Sequence, residues 1–146
     1  PCTARACIEI LDHYGYDMTG KRAVVVGRSL VVGKPVSMML QAKNATVTMC
    51  HTRTVDLDKT CQNAEVLVVS AGKAKAVGKS ALSAGQVVID VGINVDDEGN
   101  MCGDVDFAAA EEIVGAVTPV PGGVGTVTTS VLVGHVVASA EKSAGL

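Results

Sequence analysis

The chain has 146 residues, a length that gives one domain with a buried core. Its formal charge of −3 and the lack of any Lys/Arg block exclude sequence-independent nucleic-acid binding, and no uninterrupted run of about 18 apolar residues is available for a transmembrane helix. Apolar residues make up 48% and aromatics only 2%, so the core must be built from Val, Ala, Leu and Ile, a composition suited to a parallel sheet under small-residue helices.

Residues 3–15 read as a helix, with Thr3 as its cap and Cys7, Ile8, Leu11 and Tyr14 on one stripe. Gly15 ends it. After the turn at Asp17–Lys21, residues 22–27 form a strand, and the loop from Ser29 to Gly33 leads into a helix over 34–43. That helix points Val36, Met39 and Leu40 inward, and Pro35 fits its first turn, where no N–H is needed. A second strand covers 45–50. A short helix follows over 57–61, capped by Thr54 or Asp56. A third strand spans 65–69, one helical turn 79–82, and a fourth strand 86–91. Residues 95–102 form a hairpin with Glu98-Gly99-Asn100 at its tip. Asp104 and Asp106 bracket a turn before a helix over 106–113. A last strand opens at Val117 and a last helix covers 125–142. Strands alternating with helical segments predict an α/β, Rossmann-like fold: a mostly parallel sheet with helices on both faces, and a ligand beyond the carboxyl ends of the strands.

Five segments are expected at that edge: Gly27-Arg28-Ser29, His51-Thr52-Arg53, Ser70-Ala71-Gly72, Gly92-Ile93, and Pro119 to Gly125. The first is a strand running into a glycine turn and a helix, an arrangement that presents N–H groups to a phosphate. Its spacing departs from GxGxxG, because Ser29 stands at the middle glycine and Gly33 follows six residues after Gly27. Gly33 is either part of the phosphate loop or a close-packing residue. On the functional reading Ser29 donates to a phosphate and Arg28 pairs with one. The second strand ends in Cys50-His51-Thr52-Arg53 with no acidic residue for a ribose diol. A basic, hydroxyl-bearing end suits a ribose with a 2′-phosphate, hence NADP, with NAD the less favoured cofactor. The alternatives are a solvent-facing charge at Arg53 and a structural or rim role for His51. In Thr118 to Thr126 two prolines stiffen the chain and three glycines allow close approach to a flat ligand, or else form an elaborate strand-to-helix connection. Asp90 reads as a structural carboxylate held by backbone N–H groups, against a direct ligand role. Ring stacking would fall to Tyr14, Tyr16 or Phe107 if one lies in reach. His13 and His135 read as surface or packing residues.

Cys2, Cys7, Cys50, Cys61 and Cys102 are odd in number and irregular in spacing, which argues for a reducing, cytoplasmic setting and against a disulfide framework. No second close pair completes a zinc set, so no metal is expected. No signal peptide is expected either. The opening Pro1-Cys2-Thr3 lacks Met and is expected to belong to the C-terminal part of a longer protein.

Several ordered motifs together carry a resemblance that spans essentially the whole chain. They are Gly27-Arg28-Ser29 with Val32-Gly33-Lys34-Pro35, Ala45 to His51, Val88-Ile89-Asp90-Val91-Gly92-Ile93-Asn94, Gly103-Asp104-Val105, and Thr118 to Gly125. The chain resembles the bifunctional methylenetetrahydrofolate dehydrogenase/methenyltetrahydrofolate cyclohydrolase family. The resemblance implies an NADP-dependent oxidation of 5,10-methylenetetrahydrofolate and a hydrolysis of 5,10-methenyltetrahydrofolate to 10-formyltetrahydrofolate. It implies that Arg28, Ser29, Thr52 and Arg53 surround the adenosine end of the cofactor, with Gly27, Gly33 and His51 in the same loops. Gly72 and Ile93 then lie along its backbone and nicotinamide end, and Gly123 and Thr126 complete the cofactor set. Pro121, Gly122, Gly123 and Val124 border the cleft shared with folate. The family's acid–base lysine, its companion tyrosine and its folate-binding aspartate belong to an N-terminal domain absent from this sequence, so no residue here is assigned a catalytic role, and Lys73, Lys75 and Lys79 are not put in their place. Tetrahydrofolate derivatives are expected as partners through that absent domain, and a homodimer is expected, to which the 95–102 hairpin can contribute. The fragment alone is expected to bind cofactor weakly and to lack catalysis. The chain departs from the family pattern at Thr126-Val127, at Gly134-His135 and at Ala4. The rival readings are another dinucleotide-dependent dehydrogenase and a noncatalytic nucleotide-binding or assembly module.

Overall fold

The computed structural model describes residues 1–146. Its centre is a five-stranded parallel sheet of β1 (Arg22–Val26), β2 (Thr46–Cys50), β3 (Val66–Val69), β4 (Val87–Asp90) and β7 (Ala116–Val117), in the order β2-β1-β3-β4-β7. The three inner strands are β-branched runs buried on both faces, the pattern a covered parallel sheet demands. Edge strand β2 is instead largely exposed and carries two threonines, which blunts it against further pairing. A two-stranded hairpin, β5 (Asn94–Val95) and β6 (Met101–Cys102), stands apart; Asp96 shapes its turn by accepting from the N–H groups of Glu98 and Asn100.

Side-chain alternation along the strands divides the interior into two layers. Val25, Val68 and Ile89 pack under α1 (Cys2–His13), α2 (Gly33–Ala42) and the start of α5 (Val124–Ser143). On the opposite face Val24, Val26, Leu67, Val69 and Val88 meet α3 (Leu57–Gln62), a 3-10 turn over Lys79–Ala81, and α4 (Phe107–Ile113). Each such aliphatic side chain contributes about 1.5–3 kcal/mol on burial, so two small aliphatic layers suffice in place of aromatics.

Several local expectations need correction. The first helix starts at Cys2 with Pro1 in the cap position, so Thr3 falls inside its first turn and does not cap it. It ends at His13, one residue short of the last position of the predicted stripe: Cys7, Ile8 and Leu11 are buried while Tyr14 is 70% exposed. Asp56 occupies the cap position of α3 in a left-handed conformation, φ 52°, and makes no side-chain cap bond. The Thr54 hydroxyl oxygen accepts from the N–H of His51. Asp106 does cap α4, accepting from the Ala109 N–H.

Candidate functional site

The chain leaves β1 on one side for β2 and returns on the other for β3, so a crevice opens between the carboxyl ends of β1 and β3. Gly27 and Ser70 face each other there. A Cβ on Gly27 would stand 2.4 Å from the carbonyl oxygen and hydroxyl of Ser70, and its φ of +125° is itself a glycine conformation. The pairings Val26–Cys50, Val26–Val69, Val69–Asp90 and Val88–Val117 bring the loops after all five strands to the same edge.

At the first loop the Ser29 hydroxyl oxygen accepts from the N–H groups of Val32, at 3.0 Å, and Gly33, at 3.4 Å, while the Ser29 carbonyl accepts from Lys34. The first turn of α2 is therefore satisfied from within. The N–H groups without an internal partner are those of Arg28, Ser29, Leu30 and Val31, in the loop itself. These four N–H groups belong to the glycine turn, the segment from which the sequence reading expects backbone donors. Ser29 acts as acceptor to the helix and keeps its O–H as a donor. Gly33 packs against backbone: a Cβ there would lie 2.2 Å from the Gly27 carbonyl oxygen.

At the end of β2, His51 is half-buried and its Nδ1 accepts from the Arg53 N–H at 3.2 Å, leaving Nε2 as the donor of the neutral ring. Thr52 and Arg53 are exposed, as are Arg28 and Ser29. Neither Arg28 nor Arg53 forms an ion pair within the chain. Two uncommitted guanidinium groups thus sit on loops that follow adjacent strands, with no carboxylate between Cys50 and Val55.

The loops after β3 and β4 are tied by two buried acids. Asp90 accepts from the N–H groups of Gly92, Asp104 and Val105, at 2.9–3.0 Å. Burial pushes its carboxyl above the ordinary value of 3.8, against the opposing pull of those three donors. Asp104 is fully buried and accepts from the N–H groups of Gly72 and Lys73 and from the Asn94 side chain. The sequence assigns Asp104 only to a turn; the available signal was a glycine near each acid in the chain, Gly92 after Asp90 and Gly103 before Asp104, each of which packs against the other acid's carboxyl.

Ile93, 70% exposed, and Pro121 to Val124 line a common cleft of about 380 Å³. Gly123 ends that loop against Pro119, whose carbonyl oxygen lies 2.3 Å from where its Cβ would be. Thr126 points its hydroxyl back to the Gly123 carbonyl at 2.7 Å, so it secures the start of α5. A larger cavity, about 690 Å³, adjoins this cleft at Pro119, Gly122, Gly123 and Thr126 and runs between α1, the start of α5 and the β7 edge. Tyr14 and Tyr16 line that cavity and not the crevice, and Phe107 borders neither cavity. All five cysteines are free. No helix is long and apolar enough to cross a membrane.

The family model for the tetrahydrofolate dehydrogenase/cyclohydrolase NAD(P)-binding domain matches residues 1–144. The chain is 56% identical over 137 residues to the bifunctional protein FolD of Clostridioides difficile, covering 94% of this chain and 48% of that protein. Among solved structures, the bifunctional FolD methylenetetrahydrofolate dehydrogenase/cyclohydrolase of Campylobacter jejuni superposes with a TM-score of 0.95 at 38% identity, over 98% of this chain and 51% of the other. The Trypanosoma brucei N5,N10-methylenetetrahydrofolate dehydrogenase-cyclohydrolase, complexed with NADP cofactor and inhibitor, gives 0.91 at 37% identity over 99% and 51%. The chain spans about half the length of the curated relatives it matches. The predicted parallel α/β architecture and the resemblance both hold: the chain belongs to the tetrahydrofolate dehydrogenase/cyclohydrolase family, as its NAD(P)-binding domain.

Proposed function

We propose that this chain is the cofactor half of an enzyme that oxidises 5,10-methylenetetrahydrofolate with NADP and hydrolyses 5,10-methenyltetrahydrofolate to 10-formyltetrahydrofolate. The observation that carries the NADP reading is the pair of unpaired guanidinium groups, Arg28 and Arg53, on the loops after β1 and β2, where no carboxylate competes for a ribose diol. The donor chemistry fits the group: four free loop N–H groups, the Ser29 and Thr52 hydroxyls and two cations face a ligand bearing three phosphates. On this reading Arg28, Ser29, Thr52 and Arg53 hold the adenosine half, and Gly72 and Ile93 flank the nicotinamide half. Gly123 and its neighbours Pro121, Gly122 and Val124 form the wall toward folate. When bound, NADP supplies the hydride acceptor.

The cleft shared by Ile93 and Pro121 has one ionisable lining residue, Asp90, and its oxygens are already engaged by three N–H donors. This supports an acid–base group for both reactions contributed by the other half of a longer protein. The 20-residue helix α5 agrees with a covering partner domain, since Leu132, Val133, Val136 and Val137 are each at least half exposed. We also propose a homodimer, for which the hairpin offers exposed Val95 and Met101, and a reducing, cytoplasmic location, which fits five free thiols.

Titration of the chain with NADP and NAD, followed by calorimetry, tests the cofactor assignment. NADP is expected to bind more tightly, and Arg53→Ala to weaken NADP about tenfold or more, with NAD within about twofold. Equal affinities in the unmodified chain would refute it. Folate-dependent NADP reduction by the full-length protein tests the activity, and its absence would favour another dehydrogenase.

A further inference from the structure

Ile93 is an exposed apolar residue that lines the cleft and belongs to neither hydrophobic layer of the core. Both of its neighbours meet the same buried group, Gly92 by packing, with its N–H donated to Asp90, and Asn94 by a hydrogen bond. Gly92 lies so close to Asp104 that a Cβ would stand 2.2 Å from the carboxyl carbon, and the Asn94 amide donates to an Asp104 oxygen at 2.8 Å. The two oxygens of that carboxylate also receive the N–H groups of Gly72, at 2.9 Å, and Lys73, at 3.0 Å. No cation pairs with it. Its own backbone N–H is fixed by Asp90, and its carbonyl accepts from Val77. The loops after β3 and β4 thus have a common anchor beneath the edge of the sheet.

We infer that Asp104 is a positioning residue that sets the height of Ile93 against Gly72, and so shapes the nicotinamide half of the groove without touching the cofactor. The inference rests on the cofactor reading above. The adenosine half, on the loops after β1 and β2, is independent of it, because no hydrogen bond joins Asp104 or Asp90 to residues 27–33 or 51–54. An anchor for one half of a ligand predicts a selective loss. Asp104→Asn turns one acceptor oxygen into a donor facing an N–H, and Asn94→Ala is the milder variant at a half-buried position.

Two probes are titrated into the chain and both variants by calorimetry: NADP, and adenosine 2′,5′-bisphosphate, which lacks the nicotinamide half. NADP affinity is expected to fall about tenfold in Asp104→Asn and a few-fold in Asn94→Ala, with the bisphosphate within about twofold in each. If Asp104→Asn does not fold, Asn94→Ala carries the comparison. Parallel losses for both probes, or no loss for NADP in the folded variants, overturn the inference and leave the cofactor reading intact. Failure of the unmodified chain to bind either probe overturns the cofactor reading and this inference with it. Amide exchange in the ligand-free chain separates the two cases further. At Gly72 and Lys73 it is expected to speed up at least about tenfold in Asp104→Asn, and unchanged exchange there overturns the anchor itself.

Discussion

Gly33→Ala probes the joint that holds the first loop. The new Cβ would meet the Gly27 carbonyl oxygen at 2.2 Å, the Gly27 carbonyl carbon at 2.5 Å and the Arg28 nitrogen at 2.8 Å, all backbone atoms. The nearest contact is about 1.2 Å short of the 3.4 Å of ordinary van der Waals contact. Gly27 has no room to retreat, because its own Cβ position is blocked by Ser70. Relief therefore requires α2 to slide outward, loosening Val36, Ser37 and Leu40 from the core. Overpacking costs about 1–3 kcal/mol, and this site belongs at the upper end because both sides of the contact are fixed. An alanine at a helical position offsets less than about 1 kcal/mol, which leaves a net loss of about 2 kcal/mol. For a chain of this size that lowers Tm by about 4–8 °C. Gly134→Ala is the control: nothing lies within 4 Å of its Cβ position and it sits inside α5, so a gain of about 0.5–1 kcal/mol is expected. Urea unfolding followed by circular dichroism measures both, with an unchanged m-value as the check that only stability moved. A Gly33→Ala chain as stable as its parent would refute the close-packing argument.

Thiol chemistry tests the two interior layers. Burial pushes Cys7 and Cys61 up to about 12 and raises Cys50, so alkylation near neutral pH should modify only the half-buried Cys2 and Cys102 in the folded chain and all five thiols in denaturant, as counted by mass spectrometry. The raised carboxyl of Asp90 gives a pH test of opposite sign to the usual acid effect. Its folded form holds the proton more tightly than the unfolded chain does, so its contribution to stability is largest below 3.8 and is lost as pH rises through the raised value. The stability difference between the parent and Asp90→Asn should therefore narrow as pH rises from 3.8, in urea melts taken stepwise; a widening difference would mean that the three N–H donors outweigh burial.

The sheet was legible because its inner strands are short β-branched runs, Val24 to Val26, Val66 to Val69 and Val87 to Ile89, each closed by glycine, serine or aspartate. From those ends, the convergence of five loops on one edge followed without knowledge of strand order. Three features were not legible. Tyr14 continues the helical stripe of α1 in sequence, but the helix stops at His13 and the ring turns out to solvent. Ser29 reads as a hydroxyl donor, and the acceptor role of the same oxygen toward the Val32 and Gly33 N–H groups, three and four residues on, was not legible. Asp104 looked like a turn residue because its partners Gly72, Lys73 and Asn94 lie 10 to 32 residues away. Local pattern carries information about neighbours in the chain; a buried carboxylate that gathers distant N–H groups leaves no local trace.

The donors at the carboxyl edge fall into two sets, and the division explains how one edge is both rigid and receptive. The N–H groups of Val32 and Gly33 belong to Ser29, those of Gly72 and Lys73 to Asp104, and those of Gly92, Asp104 and Val105 to Asp90. None of these is free to meet a ligand, and each fixes a loop. The N–H groups of Arg28 through Val31 have no internal partner and lie on the exposed side of the first loop. Because the acceptors are two buried carboxylates and one hydroxyl, the fixed loops hold their shape without a ligand. On the proposed cofactor reading, an incoming phosphate would meet loops already held in place, a saving of ordering entropy that would favour binding at the first loop. The same division accounts for the difference in charge between the two ends of the groove: cations stand free where phosphates are expected, and the acids of the other end are turned inward, onto backbone.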